Sequence, residues 1–374
     1  MQLQQTTQLY WKNLPELLHP EGERTQTLRG FDKEFIDIVD YIIRITHRIW
    51  EQKNVGLCID YYAEYCPVHT LGGYSDNVET VIKNTLKTVG AFPDRSLIGE
   101  NVIWRDLGEN AGYYSSHRIT SIMTNKGPSE FGDATGKTGR VTTIADCVCY
   151  QNKIVYEWLM RDNSFLVKQL GIELLDAAHH FASLPANQTF EKWRAEEITR
   201  IKANEPSKHQ WPTDIDIDRK FEQLGSDWVN TFFNQKAFSD VSRFYHVNAK
   251  AQWPGGVEAI GIPGIRGAII QWLAQCPDAK ATCDHIAVVP FENEGTDIAI
   301  RWSLVGTFAS GKQGLKQYSG QDFFILAATH LRITDGKISE EWTVFDEVAA
   351  YANLIRDFNV QQKCIEVKEP DHVE

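Results

Sequence analysis

The sequence predicts an α+β fold, an antiparallel sheet curled around helices, present twice in one chain. Three observations predict it. First, a block recurs: Pro93-Asp94 returns as Pro277-Asp278, Thr135-Gly136 as Ser319-Gly320, Lys153-Ile154 as Lys337-Ile338 and Glu157-Trp158 as Glu341-Trp342, and Asp162 is matched by Asp346. Each partner lies 184 positions on (Pro93 to Pro277, Asp162 to Asp346), with no gap, and such self-similarity marks one folded unit repeated. Second, helical periodicity precedes strand-like segments in both blocks, the order of an α+β domain. Third, 374 residues suit two domains of ordinary size.

The elements follow in order. Residues 1–30 have no counterpart in the repeat and read as an extension that frays. The first domain, 31–175, opens with a helix whose apolar stripe is Phe35, Ile38, Val39, Ile42, Ile43 and Ile49, interrupted at Asn54 and Gly56. Strands follow at 99–104, 112–123, 140–150 and 153–161, rich in β-branched and aromatic residues. Residues 176–225 read as a linker carrying Pro185, Pro206 and Pro212, in which Phe190, Trp193, Ile198 and Ile201 are spaced for a helix lying on a domain. The second domain, 226–358, repeats the order: a helix through Trp228 to Phe233, then strands near 287–290, 298–308, 323–333 and 338–345. The charged tail, 359–374, is again expected to fray.

Composition narrows the function. A net charge of −12 without a Lys/Arg cluster argues against nucleic acid as a partner. No apolar run approaches the roughly 18 residues of a membrane span, and the polar, acidic start lacks the pattern of a secretory signal, so the expected setting is the cytoplasm with no membrane contact. Seven scattered cysteines fit buried reduced thiols, Cys147 and Cys149 included, better than disulfides or a zinc site. Gly132 to Thr138 has three residues between its glycines where a phosphate loop needs four, and it leads into a strand. No dinucleotide, serine-hydrolase or zincin motif is present. Metal and organic cofactor are therefore both expected to be none.

What remains is a polar set within apolar strands. Trp158, Met160 and Asp162 alternate onto one face, as do Trp342, Val344 and Asp346. Each aspartate reads either as a functional acid or as the cap of the next helix. At the repeat offset His117 is matched by Arg301, Asp146 by His330 and His69 by Trp253: ionisable positions recur while residue types change, as in two pockets of different specificity or one live and one retired pocket.

These motifs resemble the SnoaL-like polyketide cyclase family: Phe92-Pro93-Asp94, Thr135-Gly136-Lys137, Glu157-Trp158, Asp162, Leu166 and Gln169-Leu170-Gly171, then Cys276-Pro277-Asp278, Arg301-Trp302, Gly306-Thr307-Phe308, Asp335-Gly336-Lys337-Ile338, Glu341-Trp342 and Asp346. The resemblance implies two cone-shaped α+β barrels, shared with ketosteroid isomerase and scytalone dehydratase, joined by the helical linker. It also implies cofactor-free cyclase, isomerase or lyase chemistry on a hydrophobic carbonyl-containing small molecule. The family's general acid/base falls on Asp162 and Asp346. His117 and Arg301 would then donate to the oxygen on which charge develops, while His69, Asp146, Trp158, Trp253, His330 and Trp342 would bind substrate. Three alternatives stay open: a non-catalytic binding protein, a hydrolase using an Asp-activated water, and one degenerate domain. Barrels of this kind pair through the sheet, which here means either a homodimer or an intramolecular pairing of the two domains.

Overall fold

The computed structural model describes residues 6–9, 12–207, 219–292, 295–311 and 313–368, with no side-chain detail beyond 362; Pro212 of the linker lies outside them. After the short helix α1 (Leu14–Leu18), the first copy runs α2 (Ile38–Thr46), continued by a π-turn at His47–Glu51, then α3 (Cys58–Tyr61), β1 (Tyr65–His69), β2 (Tyr74–Asn77), α4 (Val78–Ala91), β3 (Ser96–Asp106), β4 (Tyr113–Thr124), β5 (Thr138–Tyr150), β6 (Lys153–Arg161) and α5 (Asn163–Leu170). Two linker helices follow, α6 (Leu174–Ser183) and α7 (Gln188–Lys202). The second copy is α8 (Arg219–Val229) with its own π-turn at Asn230–Asn234, α9 (Val241–Phe244), β7 (Tyr245–Trp253), β8 (Val257–Ile260), α10 (Gly261–Leu273), β9 (Lys280–Phe291), β10 (Gly295–Thr307), β11 (Asp322–Thr334), β12 (Lys337–Val344) and α11 (Glu347–Lys368).

Both sheets have six strands in the same order, β2-β1-β6-β5-β4-β3 and β8-β7-β12-β11-β10-β9. The fold is thus α+β and duplicated. The sheets are mixed rather than purely antiparallel, because β1 runs parallel to β6 and β7 to β12. Local chemistry sets the boundaries. Asp37 caps α2 by accepting from Asp40 N (2.8 Å), and Asn77 caps α4 by accepting from Thr80 N (2.8 Å). Gln151-Asn152 and Asp335-Gly336, all at positive φ, make the tight hairpins before β6 and β12.

The repeat is less regular than the sequence suggested. The π-turns, His47 and Asn230, and the short helices, Cys58 and Val241, are 183 apart; so are Thr124 and Thr307, whose amides donate to Asp94 and Asp278. The 184 spacing returns at β5, where Asp146 and His330 lie opposite Trp158 and Trp342. Arg301 is therefore the counterpart of Arg118, not of His117, whose partner is Ile300. Likewise His69, opposite Trp158, corresponds to Gln252, opposite Trp342, and Trp253 corresponds to Thr70.

Among the described residues, parts of both terminal segments pack on the body of the protein. Asp37 accepts from Thr7 N and Oγ1, Arg24 donates to the carbonyls of Leu28, Phe31, Asp32 and Phe35, and Leu9 and Leu28 are buried. The final helix continues to Lys368 and packs on α6. In the linker, Phe190 and Ile201 are fully buried, while Arg194 and Arg200 pair with Asp357 and Asp284 of the second copy.

The sheets meet through the faces turned away from their own helices. Arg301 lies 3.4 Å over the Trp158 ring and its counterpart Arg118 lies 3.5 Å over Trp342. Asn101 donates to Asp297 (2.8 Å), while the rings of their counterparts His285 and Tyr114 meet tilted, with centroids 3.7 Å apart. Exchange of equivalent contacts is the signature of a two-fold interface, here within one chain.

Candidate active site

The first copy encloses a cavity of about 1010 Å³ between α2, α4 and the inner face of its sheet. Helix α2 and its π-turn present Ile42, Ile45, Thr46, Ile49 and Trp50; β4 presents His117 and Ile119, β5 Thr143, Ala145 and Cys147, and β6 Glu157, Leu159 and Arg161. Alternation along β6 therefore turns Glu157, Leu159 and Arg161 inward, and Trp158, Met160 and Asp162 outward onto the second copy.

Glu157 is an ionisable group on this wall tuned for proton transfer near neutral pH. Burial raises its pKa to about 7, against a hydrogen bond from Tyr62 Oη (3.1 Å) and the attraction of Arg161, both of which favour the charged form. His117 is its chemical complement: burial holds its pKa down to about 3, so the imidazole is neutral at physiological pH. Its Nε2 has no hydrogen-bond partner, nor has Thr143 Oγ1, and both residues are buried and line the cavity. Both atoms are closed off from solvent, Nε2 lying beside Gly99, so the fold leaves two costly unpaired polar atoms just behind the cavity wall. The four thiols of this copy are poor nucleophiles: burial pushes Cys58 and Cys149 up to about 12, and raises Cys66 and Cys147 as well.

Of the residues singled out in the sequence, His117 and Asp346 line this cavity. Asp346 arrives from the second copy, capping α11 through Ala349 N (3.0 Å) and accepting from Asn163 Nδ2; burial lifts its pKa to about 7. Asp162 does not line the cavity. Its Oδ1 accepts from Phe165 N (3.0 Å), Ser164 Oγ (2.8 Å) and Gly255 N (2.9 Å), making it the cap of α5 and a tie to the second copy. Arg301, Asp146, His330, Trp158 and Trp342 occupy the seam between the sheets instead of a pocket. There Asp146 accepts from Ser116 Oγ (2.6 Å) and Tyr114 Oη and lies 3.7 Å from Arg301, while Ser116 Oγ also meets His330 Nε2 (2.8 Å). His69 is packed against Tyr156 Oη (2.5 Å) and the Trp193 ring. Trp253 is buried inside the second copy near Phe233.

Sequence reasoning passed over Glu157, Tyr62, Thr143 and Arg161. Glu157 stood in the repeated Glu-Trp pair, but the aspartate on the tryptophan's face drew the assignment. Both faces of β6 are buried, so alternation alone could not say which looked into the cavity.

Fold and site define a duplicated α+β cone protein whose first copy holds a large, mainly apolar cavity with a few polar groups on its wall. The family model of the SnoaL-like polyketide cyclases matches residues 225–354, which make up the second copy. Similar solved structures include a candidate SnoaL-like polyketide cyclase from Jannaschia sp. CCS1 (12% identity, TM-score 0.32, covering 35% of this chain and 90% of that one). Two others are IdmH from Streptomyces antibioticus, a candidate polyketide cyclase (17%, 0.31, 36% and 98%), and TsrD from Streptomyces laurentii (21%, 0.31, 38% and 99%). No curated protein matches the chain.

Proposed function

We propose that the first copy is a cofactor-independent acid/base enzyme acting on a hydrophobic carbonyl compound, with Glu157 as the base. The supporting observation is a roomy cavity whose wall carries a carboxyl tuned to about 7 and a neutral, unpartnered histidine. Glu157, once ionised, removes a proton from carbon beside a carbonyl, leaving an enolate; the enolate carbon bonds to a second carbonyl carbon, and the proton returns from Glu157 to the new alkoxide. His117 supplies the N–H that steadies the developing oxyanion. His117 and Glu157 sit two strands apart and two residues out of register on the inner face, about 12 Å between backbones, which suits a ring closure whose two reacting ends begin apart. Asp346 stands at the rim as a second proton-holding group, while Asp162 serves the framework. The second copy acts as a scaffold.

Deuterium uptake from heavy water into a panel of β-diketones, read by mass spectrometry, tests this reading before the full reaction is known. Glu157→Gln is expected to lower uptake by about 10²- to 10⁴-fold, while Glu341→Gln leaves it intact. Uptake that survives Glu157→Gln overturns Glu157 as the base. An apolar ligand that binds without any exchange in the wild type indicates a binding protein.

A further inference from the structure

The rim of the cavity is cationic in a chain whose net charge is −12. Arg95 and Arg161 line it, joined by the exposed Lys83 and Lys87. The carboxyls on the wall are Glu130, Glu157 and Asp346, and burial holds the last two partly protonated near neutral pH. The two arginines share one end of the sheet: Arg161 is paired with Thr143, Thr143 with Ile119, and Arg95 Nε donates to Ser121 Oγ (3.2 Å) two residues further along β4. They are close enough that Arg161 helps burial lower the pKa of Arg95 to about 10, an effect that Glu51 opposes. The Arg161 guanidinium attracts the Glu157 and Asp346 carboxyls without an ion pair or hydrogen bond to either among the described residues. Two guanidinium groups near each other at a cavity mouth repel, a repulsion that Glu51 eases in part and a bound anion would ease further, and their planar donor forks match carboxylate-like oxygens.

We propose that the ligand of this cavity is an amphipathic anion whose carboxylate-type head is held by Arg95 and Arg161 while its apolar body runs along β6 towards Glu157. The inference rests on the cavity being the working site, and it supplies the substrate class. From Arg161 to Glu157 is four residues, about 13 Å along a strand, which sets the length of body that brings the reacting carbon to the base.

Two fluorescent dyes with the same rings test it, anilinonaphthalene sulfonate and the uncharged phenylnaphthylamine, followed by displacement with decanoate or decanol. The wild type is expected to bind the sulfonate about tenfold or more tighter than the neutral dye, and decanoate is expected to displace it better than decanol. Arg161→Met and Arg95→Met should erase that preference while leaving the neutral dye bound, and Arg161→Lys should keep part of it. Should either Met variant fail to fold, the surface double variant Lys83→Gln/Lys87→Gln still reports, with a smaller loss confined to the anionic dye. Equal binding of both dyes to the wild type overturns the anionic head but leaves the cavity reading standing. The cavity reading falls on a different result: undiminished binding of both dyes in Ile119→Trp, which fills the cavity from β4.

Discussion

In the first copy Tyr62 donates to Glu157 at the wall of an open cavity; in the second, the equivalent Tyr245 donates to Glu341 (2.7 Å) but also accepts from Trp228 Nε1 (2.6 Å), inside a packed interior. The chemical pair is the same and its surroundings are opposite. Ile45, Ile49, Trp50 and Ile119 of the first copy correspond to Trp228, Phe232, Phe233 and Trp302, and Phe233 stacks on Trp302 at 4.4 Å where the first copy has space. Aromatic rings in place of three isoleucines, two on one helix and one on a strand, account for much of the difference between a vessel and a plug. The family model matches the filled copy. The motifs that carry kinship, Pro-Asp in the turn before β9 and Glu-Trp on β12, belong to the sheet framework, which both copies keep whatever their interiors hold.

The sharpest way to break this contrast is to exchange the fillings. Trp302→Ala should cost about 3–5 kcal/mol, since it empties a fully buried site ringed by Trp228 and Phe233. Ile119→Ala should cost about 2 kcal/mol, the low end for such a truncation, because its side chain already borders open volume. Chemical denaturation of the two variants measures the gap. Equal losses would mean that the first cavity closes up in solution, and the contrast would fail.

A smaller effect separates the two glutamates by pH. Burial raises Glu341 from 4.5 to about 7, so the folded state holds its proton more tightly than the unfolded chain does. The sign follows: this group's contribution is fully present below about 4.5 and is lost as pH climbs through 7, a loss of at most about 3 kcal/mol. Glu341→Gln removes that loss. Relative to wild type, the variant should gain stability between pH 5 and 8, measured by urea unfolding at each pH. A difference that stays flat across this range would show that Glu341 remains ionised throughout.

The sequence made the duplication legible because turn and strand-end residues are held by backbone demands that survive divergence: Asp94 and Asp278 each accept from a threonine amide, and Asp335-Gly336 repeats the positive-φ hairpin at Gln151-Asn152. It hid the one-residue shift at β4 and β10, which no repeated dipeptide spans, and so matched His117 with Arg301. It hid β1 and β7 as well, the first only five residues long and carrying Pro67, which cannot donate to a ladder. The site was half legible. His117 and Asp346 were found as ionisable groups among apolar residues, whereas Glu157 was missed because the second copy buries the strand face that would otherwise meet water.

The smallest effect decides what Asp162 is. Three donors converge on its Oδ1, two from the first turn of α5 and one from Gly255 in the other copy, so Asp162→Ala removes a helix cap and a tie between copies together. A lost cap costs about 0.5–2 kcal/mol, and the stranded Gly255 amide places this variant in the upper half of that range. Asp162→Asn keeps an oxygen acceptor and should recover most of the loss. Neither variant should alter deuterium uptake by more than a few-fold, because the outward face of β6 gives this carboxyl no path to the cavity. A base behaves the other way, with Asn as damaging as Ala to turnover and nearly harmless to stability. Measuring exchange rate and unfolding midpoint on the same two proteins therefore distinguishes a cap from a catalyst; loss of uptake in Asp162→Asn at full stability would return the chemistry to the seam between the copies.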